Sequence, residues 1–291
     1  MPNFPFKQVD VFTHMPFQGN PVAVVFDADN LTSDQMQSIA RWTNLSETTF
    51  VSRASHPDAD YHVRIFTPGN ELPFAGHPTI GTAFALLEAG RVAANQGRLI
   101  QECRAGLIEL SVSTNKDQSV ERIEFVLPAA HITELSVDQR QSLESVLGCS
   151  CVQTQPVAIV DVGPKWIVGE VADFDALLAI TPDFAQLACF EQGLGVTGVT
   201  LFARYMEGSA CDFEVRTFAP SCGVNEDPVC GSGNGAVAAY LQQCLSIDED
   251  RFSSAQGQSV GRAGRISLSI SPDQIKVGGG AVTVVKGEIT V

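Results

Sequence analysis

Apolar and polar positions along the chain switch between two periods, and the switches mark the elements. Gln8-Val-Asp-Val-Phe12 alternates, while Val22-Ala-Val-Val-Phe26 is continuously apolar, so both predict strands. Pro16, Gly19 and Pro21 place a turn between them. Thr32, with Gln35 three residues on, has the form of a capping box and opens a helix over 34–42. Strands follow at 49–51 and 63–66. Pro78 suits the first turn of a helix, where its missing N–H is not needed, and that helix ends near Gly90. Segments 97–102, 107–112 and 120–127 read as strands, and Ser136 caps a helix over 137–147. Strands at 157–160 and 166–168, helices at 172–178 and 182–190, and strands at 199–202 and 213–218 come next. A helix over 235–244 and strands at 265–270, 275–277 and 281–291 complete the pattern.

The second half repeats the first. Arg64-Ile-Phe66-Thr-Pro68 leads to Glu71-Leu-Pro73-Phe-Ala75-Gly76-His77-Pro78, and Arg216-Thr-Phe218-Ala-Pro220 leads to Glu226-Asp227-Pro228-Val-Cys230-Gly231-Ser232-Gly233. Thr49–Arg53 matches Thr200–Arg204, and Arg104–Val112 matches Arg262–Ile270, in the same order. A period of roughly 150 residues is far too long for a solenoid and predicts two lobes. The expected fold is α+β, with pseudo-symmetric lobes over 1–118 and 119–280 and segment 281–291 packing back on the first. Many consecutive strands have short links without a crossover helix, so the sheets should be mixed or antiparallel. Ala83-Phe-Ala-Leu-Leu87 and Ala236-Val-Ala-Ala-Tyr-Leu241 are apolar on most sides. Each would be a central helix inside a β-barrel.

Composition narrows the function. The 291 residues carry a net charge of −15, which argues against nucleic acid and anionic membrane as partners. The N-terminus lacks a basic region followed by an apolar stretch, and no run approaches a membrane span, so a cytoplasmic protein is expected. Eight cysteines without zinc spacing predict reduced thiols, mostly packing residues, and no metal site. Gly231-Ser-Gly-Asn-Gly235 is not the spacing of a dinucleotide fingerprint, so no nucleotide cofactor is expected.

The loops have diverged where chemistry would sit. Each central helix begins at a Gly-containing loop, and two helix N-termini facing one cleft would bind a small carboxylate. Gly231, Gly233 and Gly235 would let that ligand approach the backbone. Glu47 has Gly198 as its counterpart, so its carboxyl is not required by the shared fold. It is either a surface group or an acid/base shaped by Leu45, Thr48 and Phe50. His77 beside a helix N-terminus should stay neutral and hydrogen-bond a substrate, or be structural. Asp227 is a turn cap or a site residue. Cys230 is a packing residue or a reactive thiol whose pKa the helix N-terminus lowers.

Several motifs together resemble the phenazine-biosynthesis PhzF-like family, within the diaminopimelate epimerase fold. They are Val9-Asp-Val-Phe12 with Gly19-Asn20-Pro21-Val-Ala23, Leu45-Ser46-Glu47-Thr-Thr-Phe50, the 64–78 block, and Glu226-Asp227-Pro228 with Gly231-Ser232-Gly233. The resemblance implies a cofactor-free homodimer in which Glu47 moves a proton between carbons of a small substrate. It also implies that His77, Asp227 and Ser232 hold the substrate and assist. Ser46, Gly76, Gly231 and Gly233 are expected at the binding site with them. Related epimerases use one thiol from each lobe, but here Ala75 stands opposite Cys230. The leading expectation is a single-base isomerase of a small carboxylated metabolite. The alternatives are an epimerase or racemase using Glu47 and Cys230 on opposite faces, and a non-catalytic binding protein.

Overall fold

Strand β1 (Asn3–Val11) turns back into antiparallel β2 (Asn20–Val25) in the computed structural model, which describes residues 1–247 and 249–291. Helix α1 (Ser33–Thr43) then crosses over, and β3 (Glu47–Ser52) lies parallel to β2. Strand β4 (Tyr61–Phe66) is antiparallel to β3, and the short β5 (Glu71–Leu72) folds back on β4. Helix α2 (Gly76–Glu88) makes the next crossover, to β6 (Arg98–Cys103) parallel to β4. A meander of β7 (Gly106–Thr114) and β8 (Val120–Val126) follows.

The same order of pairings then recurs. After β9 (His131–Glu134) and α3 (Val137–Leu147), β10 (Ala158–Asp161) pairs antiparallel with β9 and with β11 (Lys165–Glu170). Helices α4 (Phe174–Ala179) and α5 (Phe184–Leu194) cross to β12 (Gly198–Arg204), parallel to β11. Strand β13 (Phe213–Ala219) is antiparallel to β12, and β14 (Val224–Asp227) folds back on it. Helix α6 (Gly231–Cys244) crosses to β15 (Arg251–Gln256), parallel to β13, and β16 (Gly264–Ser271) is antiparallel to β15. Strand β17 (Gln274–Gly279) leads to β18 (Ala281–Thr290), which pairs antiparallel with β1. The chain forms two compact units, 1–125 with 278–291 and 126–277.

The α+β class and the barrel around a central helix are as expected, but the strands are not linked without crossover helices. The central helices α2 and α6 are themselves crossovers, because parallel neighbours require a long connection. Every residue of α2 from His77 to Leu86 is buried, and the helix packs against β1, β2, β3 and β18. Helix α6 is buried from Gly233 to Leu241 against β10, β11, β12 and β16. Over these stretches both helices carry uncharged, mostly apolar side chains on all sides, so strands can close around them.

Each unit fastens its site loop in the same way. In the first, Arg64 donates from Nε and Nη2 to Glu71, both at 2.8 Å, with its guanidinium 5.0 Å from the Phe66 ring centroid. In the second, Arg216 donates to Glu226 at 2.9 and 2.8 Å and lies 4.9 Å from the Phe218 centroid. The repeated Arg-x-Phe and Glu are therefore staples that hold β5 and β14 against their neighbours. The staples position the residues that follow, including the start of each central helix.

Candidate active site

Glu47 opens β3 directly opposite Val22 of β2, and His77 is the second residue of α2. Their Oε2 and Nε2 atoms are 3.3 Å apart, with side-chain exposures of 15% and 9%. Burial pushes the His77 pKa down to about 3, partly opposed by a hydrogen bond to the Pro21 backbone. Proline has no N–H, so the ring donates and the Pro21 carbonyl accepts. With Nε2 facing Glu47, Nδ1 is the nitrogen left for that bond. Nε2 of the neutral ring then carries a lone pair. A carboxylate would set a second lone pair against it, whereas a protonated carboxyl would donate into it. At 3.3 Å the two atoms are placed for a hydrogen bond that only the acid form of Glu47 could donate. His77 is neutral, as expected, but burial is the leading cause and not the helix N-terminus. Ala75 caps α2 without a side-chain hydrogen bond, and Ser46 immediately precedes Glu47.

The second unit builds a different cluster on the matching elements. Asp227 ends β14, and its Oδ1 accepts from Val229 N–H at 3.0 Å. Asp227 is half-buried as a residue, and desolvation of its carboxyl raises the pKa from 3.8 to about 6, against the hydrogen bond from Cys230. Cys230 caps α6, with its sulfur accepting from Gly233 N–H at 3.3 Å. The expectation of a lowered thiol pKa is overturned. Burial, with the Asp227 charge added to it, drives the Cys230 pKa well above the usual thiol range. Helix-terminus stabilisation is outweighed in a site this dry.

Beneath the loop lies a buried amide network. Gln256 accepts from Cys230 N–H at 3.1 Å and from Asn234 Nδ2 at 2.7 Å, and it donates to the Asp227 carbonyl at 2.8 Å. Asn234 Oδ1 in turn accepts from Ser254 Oγ. These contacts fix the backbone between Asp227 and Cys230.

The glycines also behave differently from expectation. A Cβ on Gly233 would lie 2.7 Å from Thr200 Oγ1, and one on Gly235 would lie 2.8 Å from Leu127 Cδ1. Both are small because protein side chains press on them, not because they leave room for a ligand. On Gly76 a Cβ would meet the Phe125 ring at 2.6 Å. Gly231 is buried in the first turn of α6 beside Ser232.

Register converts the duplication into a residue comparison. Val22 faces Glu47 across β2 and β3, and Trp166 faces Gly198 across β11 and β12. A Cβ on Gly198 would lie 2.1 Å from the Phe218 carbonyl oxygen and 2.7 Å from Trp166 Cζ3. The second unit therefore has no room for a carboxylate at that position. Trp166 fills the space, and its Nε1 donates to Ser232 Oγ at 3.1 Å. Ser232 is the second residue of α6, as His77 is of α2. Where one unit sets Glu47 against His77, the other sets an indole against a serine. Trp166 and Gln256 escaped the sequence reading. The signal for Trp166 was its alignment, one strand away, with Val22 beside the Glu47/Gly198 exchange.

Asp227 gives a pH-dependent test. Its folded-state pKa is raised, so its stabilising contribution is complete below pH 3.8 and is lost as pH rises through about 6. Asp227→Asn keeps an oxygen for Val229 N–H. It should be more stable than wild type at pH 7.5 by about 1–2 kcal/mol. The gain should shrink as pH falls to 5. A gain that stays constant in thermal unfolding across that range would contradict a raised Asp227 pKa.

Among the described residues, no group of three or more His, Cys, Asp or Glu side chains is arranged to hold a metal ion. Among them, too, no helix is long and apolar enough to cross a membrane.

Comparison with known proteins agrees with this architecture. The family described as phenazine biosynthesis-like protein (PhzC-PhzF) matches residues 9–287. Antisense-enhancing sequence 1 of Schizosaccharomyces pombe is 42% identical, over 97% of each chain. Trans-2,3-dihydro-3-hydroxyanthranilate isomerase of Pseudomonas fluorescens is 36% identical, again over 97% of each. The crystal structure of a PhzF-family phenazine biosynthesis protein from Bacillus anthracis superposes with a TM-score of 0.89 at 26% identity, covering 100% of both chains. Fold and relatives together define an enzyme of the isomerase class. The chain belongs to the phenazine biosynthesis-like PhzC-PhzF protein family.

Proposed function

We propose that this protein is a single-base isomerase of a small carboxylated metabolite, with Glu47 as the base. The observation that carries the reading is the contact between Glu47 and the neutral imidazole of His77. Glu47 takes a proton from a substrate carbon, the electron pair of that C–H bond moves into the substrate's π system, and Glu47 returns the proton to a second carbon on the same face. His77 Nε2 accepts a hydrogen bond from the carboxyl only while Glu47 holds the proton. The imidazole thus favours the intermediate stage over the starting one. With its pKa held down, the imidazole does not compete as the proton carrier.

The first turn of α2, uncapped by a side chain, supplies N–H groups for a carboxylate or developing negative charge. Ser46 and Gly76 flank Glu47 and His77 on the same unit. Within the second unit, Asp227, Ser232 and Gly231 are the residues we assign to substrate binding, while Gly233 serves packing. Cys230 holds Asp227 and caps α6. A thiol this strongly protonated is a poor second base, which weighs against the Glu47/Cys230 epimerase.

The relatives named trans-2,3-dihydro-3-hydroxyanthranilate isomerase make that compound the first substrate to test. With deuterium on the carbon that loses its proton, one shuttling base should carry a measurable fraction of label into the product. Complete washout to solvent, with no intramolecular transfer under single-turnover conditions, would rule out the one-base path.

A further inference from the structure

The polar contacts around Asp227 form a chain with a direction. It begins at Trp166 Nε1, which donates to Ser232 Oγ at 3.1 Å. Ser232 Oγ lies 3.6 Å from Cys230 Sγ. Cys230 is hydrogen-bonded through its side chain to Asp227. An indole N–H can only donate, and an ionised carboxylate can only accept. The two groups between them can do both. With the ends fixed, the hydroxyl hydrogen of Ser232 is directed to the sulfur. The sulfur, already accepting from Gly233 N–H at 3.3 Å, directs its own hydrogen to Asp227.

We infer that Trp166 is a positioning residue, acting through Ser232 and Cys230 to hold Asp227 as the terminal acceptor of a one-way hydrogen-bond chain. The indole occupies an oxygen lone pair on Ser232 that the Cys230 S–H would otherwise seek. Each donor in such a chain also polarises the next. The first unit has Val22, His77, Ala75 and Leu72 at the matching positions, so no equivalent chain runs there. The asymmetry that gives one unit Glu47 thus gives the other a directed array in place of a base. Trp166 is 4% exposed, which keeps water from replacing its donor.

The titration of Asp227 in the ligand-free protein tests this directly. The titratable groups that act on it are Cys230 and Glu226, and Val229 N–H holds its other contact. The carboxyl carbon is followed by NMR, with its signal assigned by its loss in Asp227→Asn. Trp166→Phe keeps an aromatic ring but removes the donor, and should raise the midpoint by about half a pH unit. Ser232→Ala should do the same and stands in if Trp166→Phe does not fold. Cys230→Ala should raise it further, while Cys230→Ser, which keeps an O–H donor, should restore a midpoint near wild type. An unmoved midpoint in both Trp166→Phe and Ser232→Ala, with Cys230→Ala shifted, would remove Trp166 from the chain. A Cys230→Ser midpoint equal to that of Cys230→Ala would show that size and not donation matters.

The kinetic arm rests on the isomerase reading. With trans-2,3-dihydro-3-hydroxyanthranilate, kcat/KM of Trp166→Phe should fall about tenfold. Failure of the wild type to turn over that compound would count against the proposed substrate, while the titration would still decide the role of Trp166.

Discussion

Glu47→Gln should lower turnover of trans-2,3-dihydro-3-hydroxyanthranilate by about a thousandfold while leaving the protein folded and substrate binding nearly unchanged. The amide has nearly the shape of the carboxyl, so packing around β3 is retained. It cannot take a proton from carbon at neutral pH. It can still donate an N–H to His77 Nε2, so the contact at 3.3 Å keeps a partner. The loss should therefore fall on kcat, read by single-turnover kinetics with binding measured by calorimetry. A variant with wild-type kcat would overturn the assignment of Glu47 as the base. A variant that fails to bind would instead make Glu47 a substrate ligand.

Arg216→Met should destabilise the protein by about 3–5 kcal/mol, and Arg64→Met by about 1–2 kcal/mol. Both staples are bidentate Arg–Glu pairs stacked on phenylalanine, so the contrast comes from what surrounds them. Arg216 and Glu226 have side-chain exposures of 6% and 10%, against 25% and 16% for Arg64 and Glu71. Arg216 Nη1 also donates to the carbonyls of Leu177, Leu178 and Ile180, at 2.9, 3.2 and 2.8 Å. Removing it strands a carboxylate and the last turn of α4 away from water. Arg64 has Ser33 Oγ as its further partner at 3.0 Å, at an exposed edge. Denaturant unfolding of both variants checks the difference. Equal costs would mean that desolvation does not distinguish the two units. Because Glu226 precedes Asp227, loss of the second staple should also loosen the site loop and reduce activity in the protein that remains folded.

Local chemistry made much of the fold legible. Thr32 with Gln35 forms the capping box its spacing suggests, and Ser136, expected as a cap, forms one with Gln139, since these side chains act within one turn. Strand β15 was not legible. Arg-Phe-Ser-Ser-Ala-Gln has no alternation and few β-branched residues. It is a strand because β13 and β16 pair with it from both sides, and Ser254 is buried by its bond to Asn234. Helix α6 begins at Gly231 and not at Gly235, because the Cys230 cap and tight packing outweigh the poor helix propensity of glycine. The same distinction applies at the site. Glu47 and His77 stood out by type and by divergence from the repeat. The Cys230 pKa depends on burial and on a neighbouring charge, neither of which spacing reveals. Trp166 matters through a hydrogen bond spanning 66 positions of sequence.

The pairing of β18 with β1 has a consequence for the order of synthesis. Residues 126–277 are contiguous and emerge from the ribosome with all their own partners at hand. The unit that carries Glu47 is interrupted by them, and its strand β1 waits for residues 281–290 before one edge is covered. During translation the edge of β1 that β18 covers stays unpaired until residues 281–290 are made, after all of residues 126–277. The half that holds the proposed base is thus the last to be finished.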